Sequence, residues 1–251
     1  LRDRIDTAFS DQLSLDLRLS SAAATLGGVA LTDIAASAQV KGTLAAFDVS
    51  DATAFGGEVQ AGLRIDGAGE EKTVEMRLMA NNVDAFALAK AAGAERLLPQ
   101  GRATMSVMLK GAGGDWETAL RRAEGSVSAS LGQGALVGLD LAKFRTLWSG
   151  GGFFPLTEVA GGTLPLRGLD FKARIAGGVA RIEKANATLD QRLVLSLAGI
   201  VHYFGRALAL SGYFTPLAED GSRGEAEMPF FVGGAWDTPF VSPAPGEFGF
   251  E

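Results

Sequence analysis

The sequence predicts a mainly β protein whose long antiparallel strands form a curved sheet, a groove or a partly open barrel, with two or three short helices. The first observation is alternation: Leu13, Leu15, Leu17 and Leu19 are separated by polar residues. A period of two places the apolar side chains on one face of a strand and the polar ones on the other. The second observation is the 34 glycines, which suit turns and bent strands more than long helices.

The same alternation recurs along most of the chain, as in Val74, Met76 and Leu78. Glycine pairs such as Gly27-Gly28 and Gly177-Gly178 separate successive runs and are typical of tight turns. Runs of about nine residues at roughly 3.3 Å each correspond to strands of about 30 Å. Strands are predicted over residues 12–20, 28–40, 43–50, 54–66, 72–80, 102–111, 123–133, 165–176, 179–189, 191–203, 206–215 and 225–233.

Three short helices are predicted to interrupt the strands. Asp84, Asp115 and Asp140 each precede an apolar segment and carry the side chain that caps a helix N-terminus. The third segment places Leu141 and Phe144 three residues apart, which puts both on one helix face.

The domain organisation is predicted to be a single β-rich domain over residues 1–251. A glycine-rich loop, Gly150-Gly151-Gly152, follows the third helix and carries two phenylalanines. No linker clearly separates independent domains, and this loop makes residues 150–163 the best candidate for a joint.

The inventory of reactive groups argues against an enzyme. The chain has no cysteine and one histidine, His202, so a nitrogen- or sulfur-ligated metal site is not expected. No phosphate-binding loop, nucleophile elbow or zinc-protease motif is present, and we expect no cofactor. The net charge of −6 and the lack of a basic stripe argue against a nucleic-acid partner.

Three passages resemble, in their order along the chain, the C-terminal region of the AsmA family. Residues 125–141 read as a strand, a small-residue turn and a capped helix, and residues 169–199 read as two strands around the Gly177-Gly178 turn. Residues 231–243 contain Gly233-Gly234 and Trp236-Asp237-Thr238-Pro239, which is similar to the closing signature of the family. With an aromatic-glycine turn at residues 55–57, the resemblance extends over residues 12–243, although His202-Tyr203 stands where the family has an acidic pair.

The resemblance implies a periplasmic protein of Gram-negative bacteria that an N-terminal helix anchors to the inner membrane. The chain starts at Leu1 with no signal pattern after it, so we expect the anchor to lie outside these residues. The family is associated with outer-membrane assembly and with phospholipid transport between the two membranes along an apolar β-groove. Its pattern contains no catalytic residues, so the resemblance implies none here.

The expected ligand is a phospholipid or another acyl-chain molecule, and the expected groove lining lies in the second half of the chain. The candidate lining residues are Phe171, Ile175, Leu193, Leu195, Leu197, Leu208 and Leu210. The alternative for each of them is an ordinary place in a closed core, where most strand leucines lie.

An alternative function is a structural or protein-interaction scaffold of the cell envelope that binds no lipid. Exposed sheet edges would then pair with strands of envelope proteins. An open apolar trough favours the lipid hypothesis, whereas a tightly filled interior favours the scaffold. An outer-membrane barrel also alternates, but the predicted helices and the lack of aromatic girdles argue against it.

Overall fold

The computed structural model describes residue 5 and residues 14–69, 71–190 and 192–244. Leu13 and the start of the strand predicted over residues 12–20 lie outside the described residues. The protein is mainly β, and its fourteen strands belong to one antiparallel sheet in the order β1-β2-β3-β4-β5-β6-β7-β9-β10-β11-β12-β13-β14-β8. The order begins at β1 and ends at β8, so the sheet does not close into a barrel. The predicted fold class is confirmed.

Most strands are longer than usual for a globular protein, in agreement with the sequence prediction. The strands are β1 Leu15–Leu26, β2 Val29–Lys41, β3 Leu44–Ala54, β4 Gly57–Asp66, β5 Lys72–Asp84, β6 Leu98–Gly113, β7 Glu124–Val137, β8 Phe154–Pro155, β9 Thr163–Ala176, β10 Val179–Leu189, β11 Leu193–His202, β12 Ala207–Pro216, β13 Glu227–Ala235 and β14 Phe240–Pro243.

All three predicted helices form where the aspartates indicated: α1 Ala85–Ala91, α2 Trp116–Arg121 and α3 Leu141–Ser149. Asp115 accepts a hydrogen bond from the Thr118 backbone N–H at 2.8 Å, and Asp140 accepts one from the Lys143 backbone N–H at 3.0 Å. These carboxylates satisfy N–H groups that a helix start otherwise leaves unpaired. The hydrogen bonds from Thr118 also hold the pKa of Asp115 below its usual value. A short 3₁₀ helix at Leu156–Val159 follows β8.

The chain forms two compact units, and each is described by itself. The first unit comprises residues 1–84, 103–128 and 174–178, and the second comprises residues 85–102, 129–173 and 179–251. The glycine-rich loop proposed as a joint, residues 150–163, lies wholly within the second unit. A single domain over residues 1–251 with a joint in that loop stays a prediction.

The first unit contains a meander in which β1 to β5 pair in sequence order, each antiparallel to the next. The β1–β2 turn needs its glycines because Gly27 and Gly28 have φ angles of +56° and +84°, which side chains rarely adopt. A small core forms where Ile5 and Ala119 of α2 pack with Ile65 and Val74 of β4 and β5. Trp116 of α2 packs against the same cluster, so α2 covers one end of the sheet face.

In the second unit the short helix α3 packs against a sheet face. Phe144 of α3 contacts Phe154, Phe214 and Phe230 edge-on, with ring centroids 5.8, 5.7 and 5.1 Å away. Trp148 donates a hydrogen bond from its indole Nε1 to the Pro229 carbonyl at 2.9 Å. The helix is thus fixed by aromatic packing and by one hydrogen bond to β13.

Candidate functional site

A row of apolar side chains crosses the first unit at right angles to the strands. The pairing register places Leu17 opposite Ala38, Ala38 opposite Phe47, Phe47 opposite Leu63 and Leu63 opposite Met76. Residues directly opposite each other in antiparallel strands point to the same face. The five side chains, one from each of β1 to β5, therefore form one continuous line, called the apolar row below.

The apolar row is open to solvent although every member is apolar. Leu17 is 49% exposed, Phe47 41% and Met76 39%, and Ala38 and Leu63 are half-buried. Apolar side chains that are in line and exposed together mark a binding surface more often than scattered ones do.

Buried residues adjoin the apolar row on the side of α2, and on the other side a half-buried residue of β5, Leu78, separates it from buried Ala80. On β5 the same face reads Val74, Met76, Leu78 and Ala80; Val74 and Ala80 are buried, and Met76 is exposed. The next row towards α2 contains Ala45, which is fully buried. Helix α2 therefore covers one end of this sheet face, and the face is exposed to solvent at the apolar row next to that end.

A cavity of about 530 Å³ lies in the first unit, and its lining includes Phe47, Leu63 and Met76. Met108 of β6 also lines it and is 51% exposed. A volume of this size is typical of sites for small ligands. Six of the fourteen lining residues are charged: Asp48, Arg64, Glu75, Arg77, Lys110 and Glu124.

The charged groups beside this cavity neutralise each other. Arg77 lies 3.3 Å from Asp48, and Lys110 lies 2.8 Å from Glu75. The hydrogen bond from Lys110 is the main cause that lowers the pKa of Glu75. Asp48, Glu75 and Arg77 each adjoin a member of the apolar row along a strand, so their side chains point to the opposite face of the sheet and not to the face of the row.

The residues predicted to line a groove lie on three strands, β9, β11 and β12, and fall into two groups by burial. Leu195 lies opposite Phe214, and Leu197 lies opposite Gly212, so these side chains share one face of β11 and β12. Across the whole set, the buried members are Ile175, Leu193 and Leu195, and the half-buried members are Phe171, Leu197, Leu208 and Leu210.

The difference in burial among the predicted lining residues of β11 and β12 follows the position of α3. Leu193 and Leu195 are each 7% exposed and share a face with Phe214, which Phe144 of α3 covers. Leu208 and Leu210 lie on the same face farther from Phe214 along β12, opposite Val201 and Gly199. Burial favours the closed-core alternative for Leu193 and Leu195, while a lining role for any member of the set stays a prediction.

The described pairing of β11 with β12 covers five of the seven predicted lining residues. Ile175 belongs to the first unit, whereas Phe171 and the five leucines belong to the second. The structure thus brings together Leu193, Leu195, Leu197, Leu208 and Leu210 on one face, and it groups neither Phe171 nor Ile175 with them through a described strand pair.

Sequence reasoning missed two features. Leu17 and Met76 were visible as alternating residues, but the apolar row as a surface was not predicted. The second feature is an aromatic patch in the second unit, where Phe153 is 78% exposed and its ring centroid lies 6.4 Å from that of Phe240. The patch borders a cavity of about 550 Å³ that Pro155 and Pro239 also line. Its sequence signal was a phenylalanine directly after three glycines.

The histidine and the acidic side chains of the described residues form no metal-ligating cluster. His202 is exposed at the end of β11. Within residues 5, 14–69, 71–190 and 192–244, no three acidic, histidine or cysteine side chains converge as a metal site would need. In the same part of the chain, no helix combines the length and apolar character needed to cross a membrane.

Comparison with known proteins gives one match. A scan against models of protein families aligns residues 2–186 with the AsmA family, which is well over half of the chain and includes all of the apolar row. The closing passage at residues 231–243, which also resembled that family, lies beyond the aligned span. Searches of curated proteins and of solved structures returned no match.

Proposed function

The chain belongs to the AsmA family, and from that premise we propose that it is a non-enzymatic module of the cell envelope that holds phospholipid acyl chains. In this proposal the lipid lies against the apolar row of the first unit. The module takes part in phospholipid transport between the inner and outer membranes and in outer-membrane assembly.

The observation that carries the proposal is the apolar row itself, with Leu17, Phe47 and Met76 in register and exposed. Five strands at about 4.8 Å spacing give a line of roughly 19 Å. Each methylene that leaves water contributes about 0.8 kcal/mol, so ten of them contribute about 8 kcal/mol before the costs of association. An acyl chain lying along this line therefore has enough apolar surface for reversible binding.

The electrostatics support a ligand that keeps its headgroup in water. On β4 and β5 the face that carries the apolar row presents only apolar side chains at alternate positions of residues 59–65 and 74–80. The neighbouring charged residues, such as Glu75 and Arg77, point to the opposite face, so the row offers no charged group to a headgroup there. Binding through the acyl chain alone therefore predicts tolerance for different phospholipid headgroups.

Family membership supports a periplasmic location with an anchor in the inner membrane. The proposal expects the native gene to encode an N-terminal membrane helix ahead of these residues. A gene whose product begins as a cytosolic domain would contradict this part of the proposal.

The experiment is native mass spectrometry of the purified protein. We expect one or a few phospholipids to remain bound in gentle conditions, because leaving the apolar row would return their methylenes to water. We also expect lipid-stripped protein to take up added phosphatidylethanolamine and phosphatidylglycerol to similar extents. Protein that carries no lipid and takes up none would instead support the scaffold alternative, for which the edge of β1 that has no described partner strand is the structural argument.

A further inference from the structure

Among the described residues, the first strand of the sheet, β1, pairs with β2 alone and stands at the beginning of the strand order, so its other edge has no described partner strand. Eleven of its twelve residues are exposed, since its burial pattern has a single half-buried residue, Ser21. The backbone groups on its outer side are available to another strand.

This edge lacks several of the features that usually prevent pairing. The strand LDLRLSSAAATL is long and contains no proline, lysine or glycine, and its two charged residues, Asp16 and Arg18, have opposite signs. At the other end of the strand order, β8 is only two residues long and contains Pro155. Short strands and proline protect an edge from further pairing, so the contrast marks β1 as the open one.

The sequence of β1 is complementary to itself when two copies run antiparallel. If Leu17 lies opposite Leu17 of a second copy, Asp16 lies opposite Arg18 on each side of the two-fold axis. On the other face Leu15 then lies opposite Leu19. Opposite charges and apolar pairs in directly facing positions each stabilise an antiparallel pair by roughly 0.2–1 kcal/mol.

Within the described part of the strand, neighbouring registers lose this match. Centring the pair on Asp16 puts two carboxylates opposite each other, and centring it on Arg18 puts two guanidinium groups opposite each other. Asp16 and Arg18 have no oppositely charged partner on β2, because Gln39 lies opposite Asp16 and Ser37 lies opposite Arg18.

We propose that β1 is an interaction surface whose partner is β1 of a second copy of this chain, paired antiparallel about Leu17. The pairing forms a closed two-fold dimer, because each copy has one such edge. It also joins the two apolar rows through Leu17, although the proposal does not depend on lipid binding.

The first test uses charge reversal and sedimentation velocity. Wild-type protein should form dimers as its concentration rises. In Asp16→Arg two arginines face each other on both sides of the axis, and in Arg18→Asp two aspartates do. Each variant alone should need at least tenfold more protein to dimerise, and an equimolar mixture of the two should dimerise like wild type. All these positions are exposed, so circular dichroism should show an unchanged fold.

Weak association of each variant alone, with recovery to the wild-type level in the mixture, distinguishes this register from a parallel one. In an in-register parallel pair, position 16 would lie opposite position 16, so wild type itself would have two like-charge pairs. Each variant would then associate no more weakly than wild type, and the mixture would associate more tightly than wild type. Wild-type protein that stays monomeric up to its solubility limit would overturn the proposal. So would a mixture that stays as weakly associated as its components.

The second test uses a disulfide, since the chain has no cysteine of its own. In Leu17→Cys the two introduced sulfurs lie across the axis, where Cβ atoms are about 4.5–5.5 Å apart. Mild oxidation should give a covalent dimer. In the control Ala24→Cys the two positions lie about 45 Å apart along the strands at about 3.3 Å per residue. Equal cross-linking of both variants would contradict the register.

Discussion

Replacing Leu195 by aspartate is expected to abolish the cooperative unfolding transition of the native protein. Leu195 is 7% exposed and lies between Ala187 of β10 and Phe214 of β12. The change removes a buried leucine side chain, which alone costs about 2–5 kcal/mol, and it adds a carboxylate without a partner. The sum is comparable with the whole stability of a typical domain, about 5–15 kcal/mol. Circular dichroism during thermal melting measures the loss.

Two matched variants test whether burial of residue 195 is the cause of the lost stability. Leu195→Met conserves volume and polarity, so it should cost less than about 1.5 kcal/mol. Leu210→Asp changes a half-buried residue on the same face, opposite Gly199, and should lower the melting temperature less than Leu195→Asp does. If Leu195→Asp melted at the same temperature as wild type and no longer bound lipid, the side chain at position 195 would line an open groove.

The second large effect is expected at the centre of the apolar row. Phe47→Asp should weaken binding of a fluorescent phospholipid at least tenfold, because a hydrated carboxylate would interrupt the line of apolar contacts between Ala38 and Leu63. The fold should survive, since Phe47 is 41% exposed and the new carboxylate keeps access to water. Fluorescence titration and thermal melting measure the two effects independently.

The control for this variant is the same substitution on the opposite face. Gln60 of β4 is exposed and points away from the apolar row, because it is an odd number of residues from Leu63. Gln60→Asp should therefore bind lipid like wild type, and Phe47→Leu should retain most of the affinity. If Phe47→Asp bound lipid as tightly as wild type, the apolar row would not be the lipid site.

The sequence predicted the strands and helices well because their signals are local. Alternation along a strand and an aspartate before a helix involve residues only a few positions apart. Boundaries were missed where that signal fades. Strand β1 continues to Leu26, well past residue 20, through a run of small residues whose pairing with β2 is set by the turn at Gly27. Strand β14 is four residues long and β8 two, too short for a period to show.

The site was harder to predict because alternation identifies an apolar face without indicating what covers it. Coverage depends on contacts between distant parts of the chain. Phe144 of α3 closes the face that carries Leu195 through contacts with Phe214 and Phe230, about seventy or more residues away in sequence. In the first unit α2 covers Val74 and leaves Met76 exposed. The denser run of leucines in the second half therefore predicts an apolar face without showing how much of it is open, and its lining role stays a prediction.

The most direct test of the lipid proposal is to map where an acyl chain touches the protein. A phospholipid with a photoreactive group within its acyl chain would be bound and irradiated, and the modified residues identified by peptide mass spectrometry. The account predicts adducts on the first unit around Leu17, Phe47 and Met76, and unlabelled phospholipid should compete them away. Adducts confined to the face that carries Leu197, Leu208 and Leu210 would contradict the lipid proposal. Adducts on the first unit that do not decrease when unlabelled phospholipid is added would contradict it as well.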